Sequence, residues 1–192
     1  MLGSLRPYLS RFLKPIAKIF DVNPNILTII SPILCIAAAF LFYKQWLFTG
    51  ATFIFFSGGL DVLDGAVARY YNRTSKFGAF LDSTLDRFCD GIIVVGLVLG
   101  GYCDWFLGIL LIHSALTISY VKARGESIGV ECNVGIAERG MRLIIIMVGA
   151  LIGRFISLLY FKYILVFLMI ISYITVFQRI YHIWKQLKEK EE

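Results

Sequence analysis

Asp61-Val62-Leu63-Asp64-Gly65-Ala66-Val67-Ala68-Arg69, followed after a short polar stretch by Gly78-Ala79-Phe80-Leu81-Asp82-Ser83-Thr84-Leu85-Asp86, places four carboxylates in or beside segments apolar enough to cross a membrane. An Asp at the centre of a membrane helix costs roughly 2.5 to 3.5 kcal/mol on insertion scales, so four left unneutralised would cost on the order of 10 kcal/mol. Divalent cations remove that cost, because a tight group of hard carboxylate oxygens suits Mg2+, Mn2+ or Ca2+. Asp61 and Asp64 are three residues apart and Asp82 and Asp86 four apart, so each pair occupies one helical face. Two antiparallel helices joined by a short loop bring those faces together. Four carboxylates there are expected to hold two cations, which in two-metal sites lie roughly 3.5 to 4 Å apart and clamp the attacking and leaving oxygens of an in-line displacement.

The rest of the chain agrees with a membrane setting. Its 192 residues are 58% hydrophobic and 17% charged, and the mean hydropathy is +0.77, too apolar for a soluble domain of this size. Apolar stretches long enough to span recur at Asn25 to Phe42, Trp46 to Ala68, Ala79 to Leu99, Trp105 to Val121, Met141 to Leu159 and Tyr163 to Ile183. Helices are required, since an open sheet would leave backbone groups unsatisfied in lipid. Leu5 to Phe20 differs: Leu5, Leu9, Phe12, Ile16 and Ile19 repeat at helical spacing while Arg11, Lys14 and Lys18 share the other side, the pattern of a helix lying on the membrane. The expectation is an all-α integral membrane protein, with residues 1–22 as an interfacial amphipathic helix and residues 23–192 as one compact domain of six transmembrane helices.

Lys and Arg set the orientation. With six spans, Arg6, Arg11, Lys14 and Lys18, then Arg69, Arg73 and Lys76, then Lys122, Arg124, Arg139 and Arg142, and finally Arg179, Lys185, Lys188 and Lys190 fall on one side, against Lys44, Arg154 and Lys162 on the other. The positive-inside rule puts both termini and the carboxylate cluster in the cytoplasm of a multi-pass cell-membrane protein. The net charge of +6 is thereby concentrated where anionic lipids and phosphorylated substrates are found. Cys35, Cys89, Cys103 and Cys132 have no paired spacing and read as small core residues, and the isolated His113 and His182 read as structural. Arg87 and Asp90, charged within the third span, suggest a structural ion pair.

Written as a pattern, the opening stretch is D-x2-D-G-x2-A-R-x8-G-x3-D-x3-D, and it resembles the signature of the CDP-alcohol phosphotransferase family with no departure at any fixed position. That resemblance implies a CDP-linked lipid as donor and an alcohol as acceptor, whose oxygen attacks the lipid-bearing phosphorus as CMP leaves. By position it implies that Asp61, Asp64, Asp82 and Asp86 bind two Mg2+ or Mn2+ ions and that Asp86 is also the general base. Gly65, Arg69 and Ser75 match positions holding the nucleotide and its phosphates, and Asn25 and Thr28 the segment beside the cytidine. A homodimer is implied as well. Gly65 and Ala68 are small enough to admit a helix or ligand to the backbone, and the planar fork of Arg69 suits a phosphate.

The acceptor is read from a second basic set. Lys122 closes the fourth span, Arg142 opens the fifth and Arg179 lies within the sixth, where an unpaired cation is costly. Cations from three helices suit an acceptor bearing its own phosphate. The segment from Lys122 through Gly135-Ile136-Ala137-Glu138-Arg139 to Arg142 is similar to the family branch that uses inositol phosphate, in which those three positions hold the acceptor phosphate. The expected reaction is transfer from CDP-archaeol to 1D-myo-inositol phosphate. CDP-diacylglycerol as donor and glycerol phosphate as acceptor are the alternatives within the family, and a cation transporter is the alternative outside it.

Overall fold

The computed structural model describes Lys18 and residues 24–191, the side chains of residues 24, 25 and 191 excepted. The interfacial helix expected over residues 1–22 lies outside the described residues, apart from Lys18. Six helices follow: α1 Pro24–Tyr43, α2 Leu47–Tyr70, α3 Lys76–Leu99, α4 Trp105–Ser127, α5 Arg139–Phe155 and α6 Leu158–Glu191, with no strand among the described residues. Four of them, α1, α2, α4 and α6, are long and apolar enough to cross a membrane. Asp82, Asp86, Arg87 and Asp90 interrupt the apolar run of α3, and α5 has only 17 residues. Side chains such as Phe40, Phe55, Phe106 and Phe177 are more than half exposed on the outside of their helices, as a lipid-facing surface requires.

The chain divides into two compact units, Met1–Gly100 and Gly101–Glu192. In the first, α2 and α3 both pack against α1. Their contact is set by small residues: a Cβ on Gly96 would stand 2.5 Å from Ala39 O, so α3 meets the backbone of α1 directly. Between α1 and α2 lies a buried polar knot, in which Ser31 Oγ is 2.8 Å from Ser57 Oγ, itself 3.1 Å from Cys35 Sγ. Hydroxyls satisfied across a helix pair in this way fix its register.

In the second unit α4 and α5 both pack against α6. The break between α5 and α6 falls at Ile156 and Ser157, several residues before the expected one near Lys162. Phe161 explains the shift. It is fully buried in the first turn of α6, against Gly149 and Gly153, where a Cβ would stand 2.9 Å from its ring or its Cβ. The hairpin therefore closes around Phe161, and Ser157 Oγ accepts from Leu159 N at 3.3 Å as α6 begins. Asp104 caps α4, its Oδ1 accepting from Leu107 N at 2.9 Å and its Oδ2 lying 3.4 Å from Lys162 Nζ. The Leu107 N–H first, and Lys162 with it, hold this carboxyl below its ordinary value.

All four cysteines are buried thiols and none is in a disulfide. Burial pushes the Cys103 thiol up to about 11, so it stays protonated and chemically quiet at neutral pH. His113 Nδ1 lies 2.9 Å from Tyr173 Oη, the structural use its isolation in the sequence suggests.

Candidate functional site

The C-terminal half of α2 and the first half of α3 carry the carboxylates. A loop over residues 71–75 joins the two helices, and Ser75 caps α3, its Oγ accepting from Gly78 N at 2.9 Å, a contact worth about 1 kcal/mol. Asp61 and Asp64 from α2 and Asp82 from α3 then meet: each offers a carboxylate oxygen, and these oxygens lie within 4.8 Å of one another. Adjacent oxygens around an octahedral Mg2+ with ligands at 2.0–2.1 Å are about 2.9 Å apart, so three carboxylate oxygens already within 4.8 Å of one another draw closer to take a divalent ion. Asp64 is buried and Asp61 and Asp82 half-buried, so the ion's first shell would be only partly open to water.

Asp86 is half-buried and does not belong to that triad. Four residues further along α3, it is displaced about 6 Å along the helix axis, and its Oδ2 lies 3.4 Å from Arg87 Nη2. Asp90 is buried below it, 7% exposed.

Two other predicted residues acquire definite partners. Thr28, from α1, donates its hydroxyl to Asp64 Oδ2 at 2.6 Å in a buried hydrogen bond. Leu27, its neighbour in α1, packs with Leu63, Ala66 and Val67 of α2 in a small buried apolar cluster. The Arg69 guanidinium lies back along the helix over Gly65, where a Cβ would stand 3.3 Å from its Nη1. The Asn25 side chain lies outside the described residues.

The second basic set lies in the Gly101–Glu192 unit. Lys122 is paired with Glu126 at 3.7 Å, an exposed helical pair worth a few tenths of a kcal/mol. Arg142 and Arg179 are both 6% exposed. Arg142 Nη1 donates to Ala137 O at 3.0 Å; Arg179 donates from Nε to Val134 O at 2.9 Å and from Nη1 to Ile118 O at 2.7 Å. These bonds are part of a longer arrangement absent from the sequence reading. Along one face of α6, Thr175 Oγ1 accepts from Ala137 N, Arg179 holds Val134 O, His182 Nε2 lies 3.1 Å from Glu131 O and Lys190 Nζ donates to Gly129 O. As the numbers on α6 rise, those on the loop fall. The α4–α5 loop thus lies antiparallel along about 22 Å of helix, and Gly135, at φ +127°, lets it pass Thr175. The signal was present as Thr175, Arg179 and His182, polar at helical spacing in an apolar helix. Arg179→Ala is expected to speed amide exchange over residues 129–138 by about 10-fold or more, because buried hydrogen bonds from a charged donor contribute roughly 1.5 to 3 kcal/mol; unchanged exchange there would show that the loop holds itself.

Comparison with known proteins agrees with the signature. Residues 21–184 match the family described as CDP-alcohol phosphatidyltransferase. The chain is 44% identical, over 98% of its length and 96% of the relative's, to archaetidylinositol phosphate synthase of Methanothermobacter thermautotrophicus. It is also similar to the crystal structure of Mycobacterium tuberculosis phosphatidylinositol phosphate synthase with CDP-DAG bound, at 34% identity and a TM-score of 0.80, covering 91% of this chain and 94% of that one. A second structure of that enzyme, with manganese and citrate, gives the same TM-score of 0.80 at 34% identity, covering 90% of this chain and 88% of that one. With the match running through both units and the signature complete, this chain belongs to the CDP-alcohol phosphatidyltransferase family.

Proposed function

We propose that this chain is a divalent-metal-dependent CDP-alcohol phosphotransferase that moves the lipid-phosphate moiety of a CDP-lipid onto 1D-myo-inositol phosphate, with CDP-archaeol as the favoured donor, giving archaetidylinositol phosphate and CMP. The observation that carries it is the meeting of Asp61, Asp64 and Asp82, whose oxygens lie within 4.8 Å at the ends of two helices of a family member. The fit of the triad to a hard divalent ion supports Mg2+ or Mn2+, as does the manganese in the similar enzyme. When bound, two such ions would neutralise the pyrophosphate and stabilise the charge on the leaving CMP oxygen.

The residues take the following roles. Asp61, Asp64 and Asp82 would hold the metal, which when bound would draw in the donor's phosphates; Arg69, lying over Gly65, supplies a fork for a phosphate oxygen, and Asn25, Thr28 and Ser75 line the nucleotide side. Asp86 takes the proton of the acceptor hydroxyl as its oxygen forms the new bond to the lipid-bearing phosphorus and the bond from that phosphorus to the CMP oxygen breaks. Its position one turn from Asp82 and outside the triad supports a base that also completes the metal site. Lys122, Arg142 and Arg179 are assigned to the acceptor's own phosphate.

We assign all six helices to the membrane. Exposed Tyr163 and Tyr181 on α6 stand about 27 Å apart at 1.5 Å per residue, close to the hydrocarbon thickness. Aromatic side chains at both boundaries, followed by Lys185, Lys188 and Lys190 at one of them, support a cytoplasmic C-terminus and active site. The working assembly is taken as a homodimer, on the family resemblance.

The test is CMP release by the purified full-length protein with Mg2+ or Mn2+, inositol 1-phosphate and an equal mixture of CDP-archaeol and CDP-diacylglycerol, with mass analysis of the lipid product. Release only when metal, donor and acceptor are all present is expected, with the archaeol product dominant. The relative crystallised with CDP-DAG makes the diacyl product the second reading. Asp86→Asn is expected to lower turnover by about 10²-fold or more with CDP-lipid binding retained; full activity in this variant would remove Asp86 from the chemistry.

A further inference from the structure

We propose that Thr28 is a positioning residue for the metal site, holding the Asp64 carboxylate in its ligating orientation from a helix that supplies no carboxylate of its own; this rests on the reading of Asp64 as a metal ligand. The contact has the form that such a role demands. An O–H···O⁻ separation of 2.6 Å is in the short range of hydrogen bonds to charged acceptors, and Thr28 and Asp64 are each 6% exposed, so water does not compete for either group. A carboxylate on its own rotates freely about its terminal bond. With one oxygen taken by the Thr28 hydroxyl, the plane of the group is set and the metal meets a pre-oriented donor, which is how outer-shell partners raise metal affinity.

The surrounding helix makes the contact matter more. Pro32 stands four residues after Thr28 inside α1 and brings no N–H to the Thr28 carbonyl, so this turn lacks one of its backbone bonds. Side-chain contacts across to α2 hold it instead: Thr28 to Asp64, Ser31 to Ser57, and Leu27 against the Leu63, Ala66 and Val67 cluster. Because α2 and α3 both pack on α1, a hydroxyl at this place ties the helix that carries neither pair of carboxylates to the geometry of the site. The assignment also separates two uses of one residue. A Thr that touched only the nucleotide would leave metal binding in the absence of nucleotide unchanged.

The experiment is an Mn2+ titration of the purified full-length protein without nucleotide, with free Mn2+ read by electron paramagnetic resonance, for the parent, Thr28→Val, Thr28→Ser, Thr28→Ala and Asp64→Asn. Thr28→Val keeps the shape and removes the donor; Thr28→Ser keeps the donor and removes a methyl. The expected result is an Mn2+ Kd raised about 10- to 100-fold in Thr28→Val and Thr28→Ala and restored to within about threefold of the parent in Thr28→Ser. Parent-like Mn2+ affinity in Thr28→Val, or a loss in Thr28→Ser equal to that in Thr28→Val, overturns the proposal while Asp64→Asn still weakens binding. If Asp64→Asn binds Mn2+ as the parent does, the metal reading of Asp64 fails first and the role of Thr28 falls with it.

Discussion

Asp82→Asn is expected to abolish transfer and, at the same time, to remove the stabilisation that Mn2+ gives the parent. Asp82 is the single contribution of α3 to the triad, so its loss leaves two carboxylates on one face of α2. Turnover should fall by more than about 10³-fold, corresponding to roughly 4 kcal/mol of transition-state stabilisation. A ligand at 100 times its Kd stabilises the state it binds by about 2.7 kcal/mol, so the parent should gain stability with Mn2+ and the variant should not. CMP release and thermal unfolding in detergent, each with and without Mn2+, check both halves. A variant that keeps the Mn2+-dependent gain would show that Asp82 is not a ligand.

Gly96→Val is expected to be the most damaging substitution away from the carboxylates. The first atom added at this position would stand 2.5 Å from Ala39 O and 2.6 Å from Ala39 Cα, and backbone has no rotamer by which to retreat. The helices α1 and α3 must move apart. Overpacking of a close contact typically costs 1 to 3 kcal/mol, and about 3 kcal/mol or more is expected here because two further methyl groups follow the first. Since α1 carries Thr28 and α3 carries Asp82, separating the helices also spreads the metal site, and activity should fall with stability. Gly59 and Gly91 provide the contrast: a Cβ at either meets nothing within 4 Å, so Ala there should be neutral or gain up to about 1 kcal/mol from the stiffer helix. Melting temperatures of the three variants decide it; equal tolerance of all three would mean that the α1–α3 contact yields easily.

The carboxylates were legible because a helix repeats every 3.6 residues, and spacings of three and four put Asp61 with Asp64 and Asp82 with Asp86 whatever the rest of the chain does. Which of the four gather most closely was not legible. The triad takes Asp82 and leaves Asp86 outside it, a choice set by where α3 lies and not by its periodicity. The α5–α6 break was misplaced for a related reason: Lys162 is a strong local marker of a membrane boundary, but the burial of Phe161 between Gly149 and Gly153 outweighs it.

Local spacing along the chain, taken with the apolar composition of the helices, was enough to determine that this is a helical membrane protein with a phosphate-handling, metal-binding chemistry, because helix formation in lipid and ligand type both depend on residues close in sequence. Tertiary structure alone decided that Thr28 reaches Asp64 across 36 positions and that Arg179 reaches Val134 and Ile118 across 45 and 61. Those partners are chosen by the packing of whole helices, α2 on α1 where Gly50 meets Phe42 and α4 on α6 where Gly125 meets Ile183, and a hydroxyl or guanidinium bonds whatever acceptor that packing brings within about 3 Å.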